Sequence, residues 1–263
     1  MAMRLVTRAI ASASRRLDRP ELLAAVNAAA RQSQLEEVGI SAVLASSLRG
    51  DGTYVDVGAN RGQVLREAVR VAPHGSHVAF EPIPRLAEEL ARAFPQVDCR
   101  AKALGARAEQ TQFCHFRRLD GWSGLKRHPQ ISDSRGDPEY ITVELSTLDA
   151  EIGALVPSVV KIDVEGAEVA VLEGARAVLA EARPVVIFEH VRDTAELHGV
   201  RPGAPWDLLR ELDYEIFSAT GDGPFTREAF TGSASVVNWL ATPGARVDAA
   251  SARGGLGGTR ASL

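Results

Sequence analysis

The residues best suited to chemistry fall in four short groups, each at the end of an apolar run. The first is Asp56-x-Gly58-x-Asn60-x-Gly62, closing the run Tyr54–Val57. Glycines at 58 and 62 remove two Cβ atoms and let backbone come close to a ligand. Asp56 adds a carboxylate, which suits a cation better than a phosphate. The second group is Glu81, directly after His77–Phe80, where an acid can accept both hydroxyls of a ribose. The third is Asp163 with Glu165, after Ser158–Ile162, and the fourth is Glu189 with His190, after Pro184–Phe188. One acid after a strand is often a helix cap or a turn residue. At four such ends, the acids read as a set.

The spacing narrows the ligand. A dinucleotide fingerprint starting at Gly58 needs glycines at 60 and 63, where Asn60 and Gln63 stand. No G-x-x-x-x-G-K-[ST] phosphate loop occurs in the chain. A nucleoside with a positively charged appendage and no pyrophosphate fits what is left, and S-adenosylmethionine is such a molecule. Methyl transfer to a hydroxyl also calls for a base, and Glu165, Glu189 and His190 are the candidates on the rim. His190 qualifies by its intrinsic pKa. Glu165 also suits the start of the helix that follows it. Asp163, Glu165, Glu189 and His190 are hard enough donors for magnesium as well, but the reading adopted is metal-free.

These groups need a scaffold that brings strand ends together. The pattern predicts strands over 54–57, 77–80 and 97–104, with helices over 63–72 and 84–94 between them. Strands over 111–116 and 140–145 flank a polar stretch, Leu119–Glu139, that reads as a solvated loop or a substrate lid. Thr147 or Ser146 caps a short helix, a strand covers 158–162, and one long helix is expected over 167–182. A strand over 184–188, a helix over 206–212 and strands over 214–217 and 235–240 complete the series. The expected class is α/β: a Rossmann-like, mostly parallel sheet with helices on both faces and an antiparallel pair at one edge. Ligands of such sheets bind beyond the carboxyl ends of the strands.

Composition sets the outer bounds. The chain has 263 residues, 45% hydrophobic and 24% charged, enough for a sizeable core. A net charge of -4 gives no global basic field for nucleic acid. Cys99 and Cys114 are too few for a disulfide framework, so a reducing, cytoplasmic setting is expected. No apolar run is long enough for a transmembrane segment. The arm MAMRLVTRAIASASRR carries four arginines and no acid, and residues 1–49 read as a helical extension. Residues 50–242 form the catalytic unit, and the glycine-rich stretch 243–263 is expected to be a disordered tail. Oligomeric state is not encoded in any of these features.

The segments Val55–Gly62 (VDVGANRG), Phe80-Glu81-Pro82, Lys161–Glu168 (KIDVEGAE) and Phe188-Glu189-His190 resemble the FkbM family of S-adenosylmethionine-dependent methyltransferases. Thr147-Leu148-Asp149 belongs to the same resemblance, which covers about residues 50–242. It implies the seven-stranded methyltransferase sheet and, usually, methyl transfer to a hydroxyl oxygen of a sugar or other small metabolite. By the same resemblance, Asp56, Gly58, Asn60 and Gly62 line the methionine and ribose part of the cofactor. Glu81 holds the ribose hydroxyls, and Asp163 sits near the methionine portion. Two other readings compete: a non-catalytic cofactor-binding or scaffold protein, and a nicotinamide-dependent oxidoreductase, which Asn60 and Gln63 disfavour.

Overall fold

A computed structural model describes residues 19–245 of the chain. The arginine-rich arm and all but the first three residues of the expected tail lie outside the described residues. The chain begins with helix α1 (Arg19–Ser47) and then alternates β1 (Thr53–Val57), α2 (Gln63–Val71), β2 (Val78–Phe80), α3 (Pro84–Ala93) and β3 (Asp98–Arg100). Next come β4 (Ala103–Leu104), β5 (Glu109–Phe116), the short α4 (Asp133–Gly136) and β6 (Pro138–Ser146). Then follow α5 (Leu148–Ile152), β7 (Pro157–Ile162), α6 (Glu168–Glu173), α7 (Arg176–Glu181) and β8 (Val185–Glu189). The last part holds α8 (Arg192–Leu197), α9 (Ala204–Glu211), β9 (Tyr214–Ser218), α10 (Arg227–Gly232) and β10 (Asn238–Pro243).

Seven strands form one sheet in the order β3-β2-β1-β7-β8-β10-β9. All pairings are parallel except those of β10, which runs antiparallel to both β8 and β9. The strand order therefore reverses between β1 and β7, which opens a crevice beyond their carboxyl ends. Alternation along each strand divides the core. Val55, Val57, Val160, Ile162 and Phe188 face one layer with α6, α7 and α9. Tyr54, Val159 and Ile187 face the other, with α1, α2 and α3. Ile40, Leu44 and Leu48 of α1 are buried in that second layer. Glu36 ties the same helix to β10: it accepts from the N–H groups of Val237 and Asn238 and, at 2.8 Å, from the Asn238 side chain.

Two expected elements are divided. The strand over 97–104 splits because Asp98–Arg100 pairs with β2, whereas Ala103–Leu104 pairs with β6 in a separate three-stranded sheet. The helix over 167–182 breaks at Gly174, whose Cα lies against the Gly105 carbonyl so closely that a Cβ would meet it at 2.0 Å. Asp149 restarts the helix as α7 by accepting from the N–H groups of Ala177 and Val178. Thr147 caps α5 as expected, accepting from Ala150 N–H. Among the described residues, no helix is long and apolar enough to cross a membrane.

Candidate active site

β1 is paired on both sides, so the turn after it emerges from the middle of the sheet. The N–H groups of Gly58 and Ala59 both donate to the Phe80 carbonyl at 3.0 Å, pinning this turn to the end of β2. Asn60 then adopts a left-handed φ of 50°. Its N–H donates to Glu81 Oε2 at 2.8 Å, while Glu81 Oε1 accepts from Ile83 N–H at 3.0 Å. The glycines meet the chain itself at close range. A Cβ on Gly58 would stand 2.0 Å from the Asp163 carbonyl oxygen, and one on Gly62 would stand 2.7 Å from Leu90 and Phe94. Both have positive φ. Gly62 starts α2 and lines neither of the cavities beside this turn.

The turn after β7 lies beside the first, and Asp163 N–H donates to the Val57 carbonyl at 3.0 Å. Glu165 is left-handed as well, with φ 58°, and Gly166 follows at φ 106°. Glu168, the buried first residue of α6, accepts from Val164 N–H at 3.1 Å and Gly166 N–H at 2.9 Å through one oxygen, Oε1.

Two cavities open along these turns. One, of about 600 Å³, is lined by Gly58, Asn60, Glu81, Asp163 and Glu165, and by Lys102, Ala103 and Leu104 at β4. The other, of about 440 Å³, is lined by Asp56, Gln63, Val64 and Lys161. Gly58, Asn60 and Asp163 belong to both, so they form the partition. The walls are acidic. Burial pushes the Asp56 carboxyl up to about 6, although Lys161 pulls the other way. It pushes Glu81 up to about 7 against the N–H groups of Ile83 and Asn60. Burial also opposes the Lys161 charge, yet Asp163, Asp56 and Glu189 hold its ammonium above the ordinary lysine value.

Carboxylate oxygens of Asp163, Glu165 and Glu189 lie within 4.8 Å of one another, and Lys161 Nζ donates to Asp163 Oδ2 at 3.1 Å. Three acids thus converge with a buried ammonium beside them. His190 goes elsewhere. Glu189 pairs with Asn238 on the α1 face, so the next side chain points to the opposite face. There it stacks on Phe230 at 5.5 Å and lines a separate cavity of about 410 Å³ with Arg192 and Trp239. Burial, then Arg192, lower its pKa to about 4.

A model of the methyltransferase FkbM domain matches residues 56–216, more than half of the chain. The chain belongs to the FkbM methyltransferase family. The AMB antimetabolite synthetase AmbE of Pseudomonas aeruginosa is 28% identical over 204 residues, which is 63% of this chain and 10% of that protein. The chain therefore spans about a tenth of the length of the curated relative it matches. Among solved structures it is similar to methyltransferase FkbM from Methylobacillus flagellatus KT. There the TM-score is 0.49 and the identity 17%, over 89% of this chain and 58% of that one. It is also similar to precorrin-6y C5,15-methyltransferase from Geobacter metallireducens GS-15. That match has a TM-score of 0.42 and 15% identity, over 78% of this chain and 87% of that one.

The polar stretch Leu119–Glu139 is not simply a solvated loop, because part of it packs into a small core beside the 600 Å³ cavity. Phe116, Trp122 and Ile131 are buried together with Cys114, and Cys114 bridges to Gly124. A 3-10 turn, Asp120–Trp122, brings Asp120 and Ser123 to the 600 Å³ cavity. Asp120 accepts from Arg61 at 2.6 Å, from Arg85 at 3.0 Å and pairs with His115 at 3.0 Å. Although burial opposes it, His115, Arg85 and Arg61 hold the Asp120 carboxyl below its ordinary value. Asp120, Lys161 and Glu168 are not among the candidate site residues of the sequence. Lys161 and Glu168 stand at the two ends of the KIDVEGAE segment that carries the family resemblance, whereas Asp120 leaves no signal.

Proposed function

We propose that this chain moves a methyl group from S-adenosylmethionine to a hydroxyl of a small metabolite, sugar or glycan, with Glu165 receiving the hydroxyl proton. One observation carries the reading. The two cavities meet at Gly58, Asn60 and Asp163, with the ribose-type acid Glu81 in one and Asp56 in the other. Asp56 is buried beside the Tyr54 hydroxyl, and its Oδ1 keeps accepting capacity that an ammonium group would satisfy. The donor set fits S-adenosylmethionine, which supplies an activated methyl on a sulfonium when bound.

In this reading Asp56 and Asp163 hold the ammonium of the methionine portion, and Glu81 accepts from the ribose hydroxyls. Glu81 has lone pairs left after serving Asn60 and Ile83. The residues 102–104 and the cap around Asp120 and Ser123 enclose the base and exclude water. Alignment of the two reactants supplies most of the acceleration, and the proton acceptor adds about 10²–10⁴-fold. Glu165 takes that role because it lines the cofactor cavity and His190 lines a different one. The acceptor hydroxyl then lies over Glu165 and Glu189, at the ends of β7 and β8.

Thermal unfolding with S-adenosylhomocysteine, with NADH as control, tests the cofactor. At 100 times its dissociation constant the ligand should add about 2.7 kcal/mol, a rise of roughly 5–10 °C for a chain of this size. A panel of hydroxyl, amine and thiol acceptors, read by S-adenosylhomocysteine release, tests the rest. Turnover confined to amines or thiols would overturn the hydroxyl assignment. Cofactor binding with no turnover on any acceptor would favour a non-catalytic role.

A further inference from the structure

Glu165 is held at φ 58°, a left-handed conformation that a residue with a side chain adopts only where its surroundings enforce it. Three contacts surround this turn. Asp163 is pressed against Gly58 on one side, and Gly166 against the backbone of Thr194 on the other, where a Cβ would come within 2.5 Å. The third is Glu168, whose Oε1 takes the N–H of Val164, on the Asp163–Val164 peptide, and the N–H of Gly166, on the peptide just after Glu165. An acid that only caps a helix binds N–H groups of the first turn or of the N-cap. Glu168 instead reaches behind its helix to span the residue that faces the cofactor.

We infer that Glu168 is a positioning residue: its carboxyl ties the Asp163–Val164 peptide to the Glu165–Gly166 peptide, fixes the left-handed turn between them and so aims the Glu165 carboxylate into the cofactor cavity. The inference rests on the reading of that cavity as the S-adenosylmethionine site. Burial pushes Glu168 up to about 8 against the Gly166 N–H, with Glu189 and Asp163 adding to the rise. Burial thus favours the protonated carboxyl, and glutamine reproduces both its shape and its accepting oxygen. Aspartate is one methylene too short to span both peptides.

Sinefungin and S-adenosylhomocysteine test the clamp without knowledge of the acceptor. Sinefungin places an ammonium in the direction of the transferred methyl, and S-adenosylhomocysteine places nothing there. The ratio of their affinities therefore reads whether Glu165 is aimed at that point. Glu165→Gln should reduce the preference for sinefungin roughly tenfold or more, the size of one charge-assisted contact. Glu168→Ala and Glu168→Asp should reduce it to the same level with S-adenosylhomocysteine affinity unchanged, and Glu168→Gln should retain it. Hydrogen exchange at the Gly166 amide should quicken in the alanine and aspartate variants and stay slow in the glutamine one. An unmoved preference in Glu168→Ala and Glu168→Asp, while Glu165→Gln loses it, sinks the clamp and leaves the cofactor reading standing. An unmoved preference in Glu165→Gln also removes the inference, because the clamp has then nothing to aim. No binding of S-adenosylhomocysteine by the unaltered protein overturns the cofactor reading and the inference together.

Discussion

The turns after β1 and β7 are built alike and used differently. Each carries a left-handed residue with a side chain, Asn60 in one and Glu165 in the other. Each is gripped by a buried glutamate whose pKa burial raises, Glu81 to about 7 and Glu168 to about 8. The difference lies in where the gripping acid faces. Glu81 comes from the end of β2 and lines the larger cavity, so it holds the turn and, in the proposed function, also meets the ligand. Glu168 lies behind its turn, and the residue it spans, Glu165, is the one that lines the cavity. Under the proposed function the first turn presents backbone and a binding acid, and the second presents a reactive side chain on a fixed frame. Substitutions at equivalent places should therefore fail in different ways.

Glu165→Gln should have the largest effect, a fall of about 10²–10⁴-fold in methyl-transfer rate with S-adenosylhomocysteine affinity within twofold of the original. Calorimetry paired with single-turnover kinetics on an active acceptor would read the two quantities separately. An unchanged rate would return the proton to another carboxylate or to solvent. Glu81→Ala should do the reverse and weaken S-adenosylhomocysteine about a hundredfold, since charge-assisted bonds to a ribose contribute about 1.5–3 kcal/mol. Unchanged affinity there would remove Glu81 from the site and end the parallel between the turns.

The same contrast shows what the sequence reveals and what it conceals. Acids that follow apolar strands were readable as a set because a parallel sheet brings its carboxyl ends to one edge. Asp56, Asn60, Glu81, Asp163 and Glu165 gather there for that reason. Glu189 and His190 stand in sequence as alternative bases on one rim, yet neighbours at a strand end point to opposite faces, and His190 lines a different cavity. Gly62 was assigned to the ligand, whereas its missing Cβ makes room for Leu90 and Phe94, contacts made only in three dimensions. The folding of 119–139 was not legible either. Its small core joins Trp122 and Ile131 to β5 residues Cys114 and Phe116, with no periodic signal within the segment itself.

Titration separates the gripping acids from ordinary surface carboxylates. Both glutamates start from an ordinary value of 4.5 and are raised in the folded protein. The folded state therefore keeps protons that the unfolded chain releases, and stability is fully present only below the unfolded value. It should fall as pH rises through the window from 4.5 to about 8. Urea midpoints at pH 5, 6, 7 and 8.5 would show this decline. Glu168→Gln should remove the part of the decline that extends above pH 7, and a parallel decline in that variant would count against a neutral Glu168. Ligand affinity should move the other way: S-adenosylmethionine, a cation, should bind more tightly as Asp56 and Glu81 ionise between pH 6 and 8.

The smallest expected effect is also the sharpest test of likeness between the turns. The Asn60 backbone makes the contact that matters, since its N–H donates to Glu81. Glycine accepts a positive φ at no steric cost but loses more entropy on folding, and the two terms oppose each other. Asn60→Gly should thus change stability by less than about 1 kcal/mol, read as a shift in the urea midpoint at unchanged slope. A loss well beyond that would mean that the Asn60 side chain, and not the turn alone, holds the partition between the two cavities. The first turn would then carry a side chain as important to its form as Glu168 is to the second.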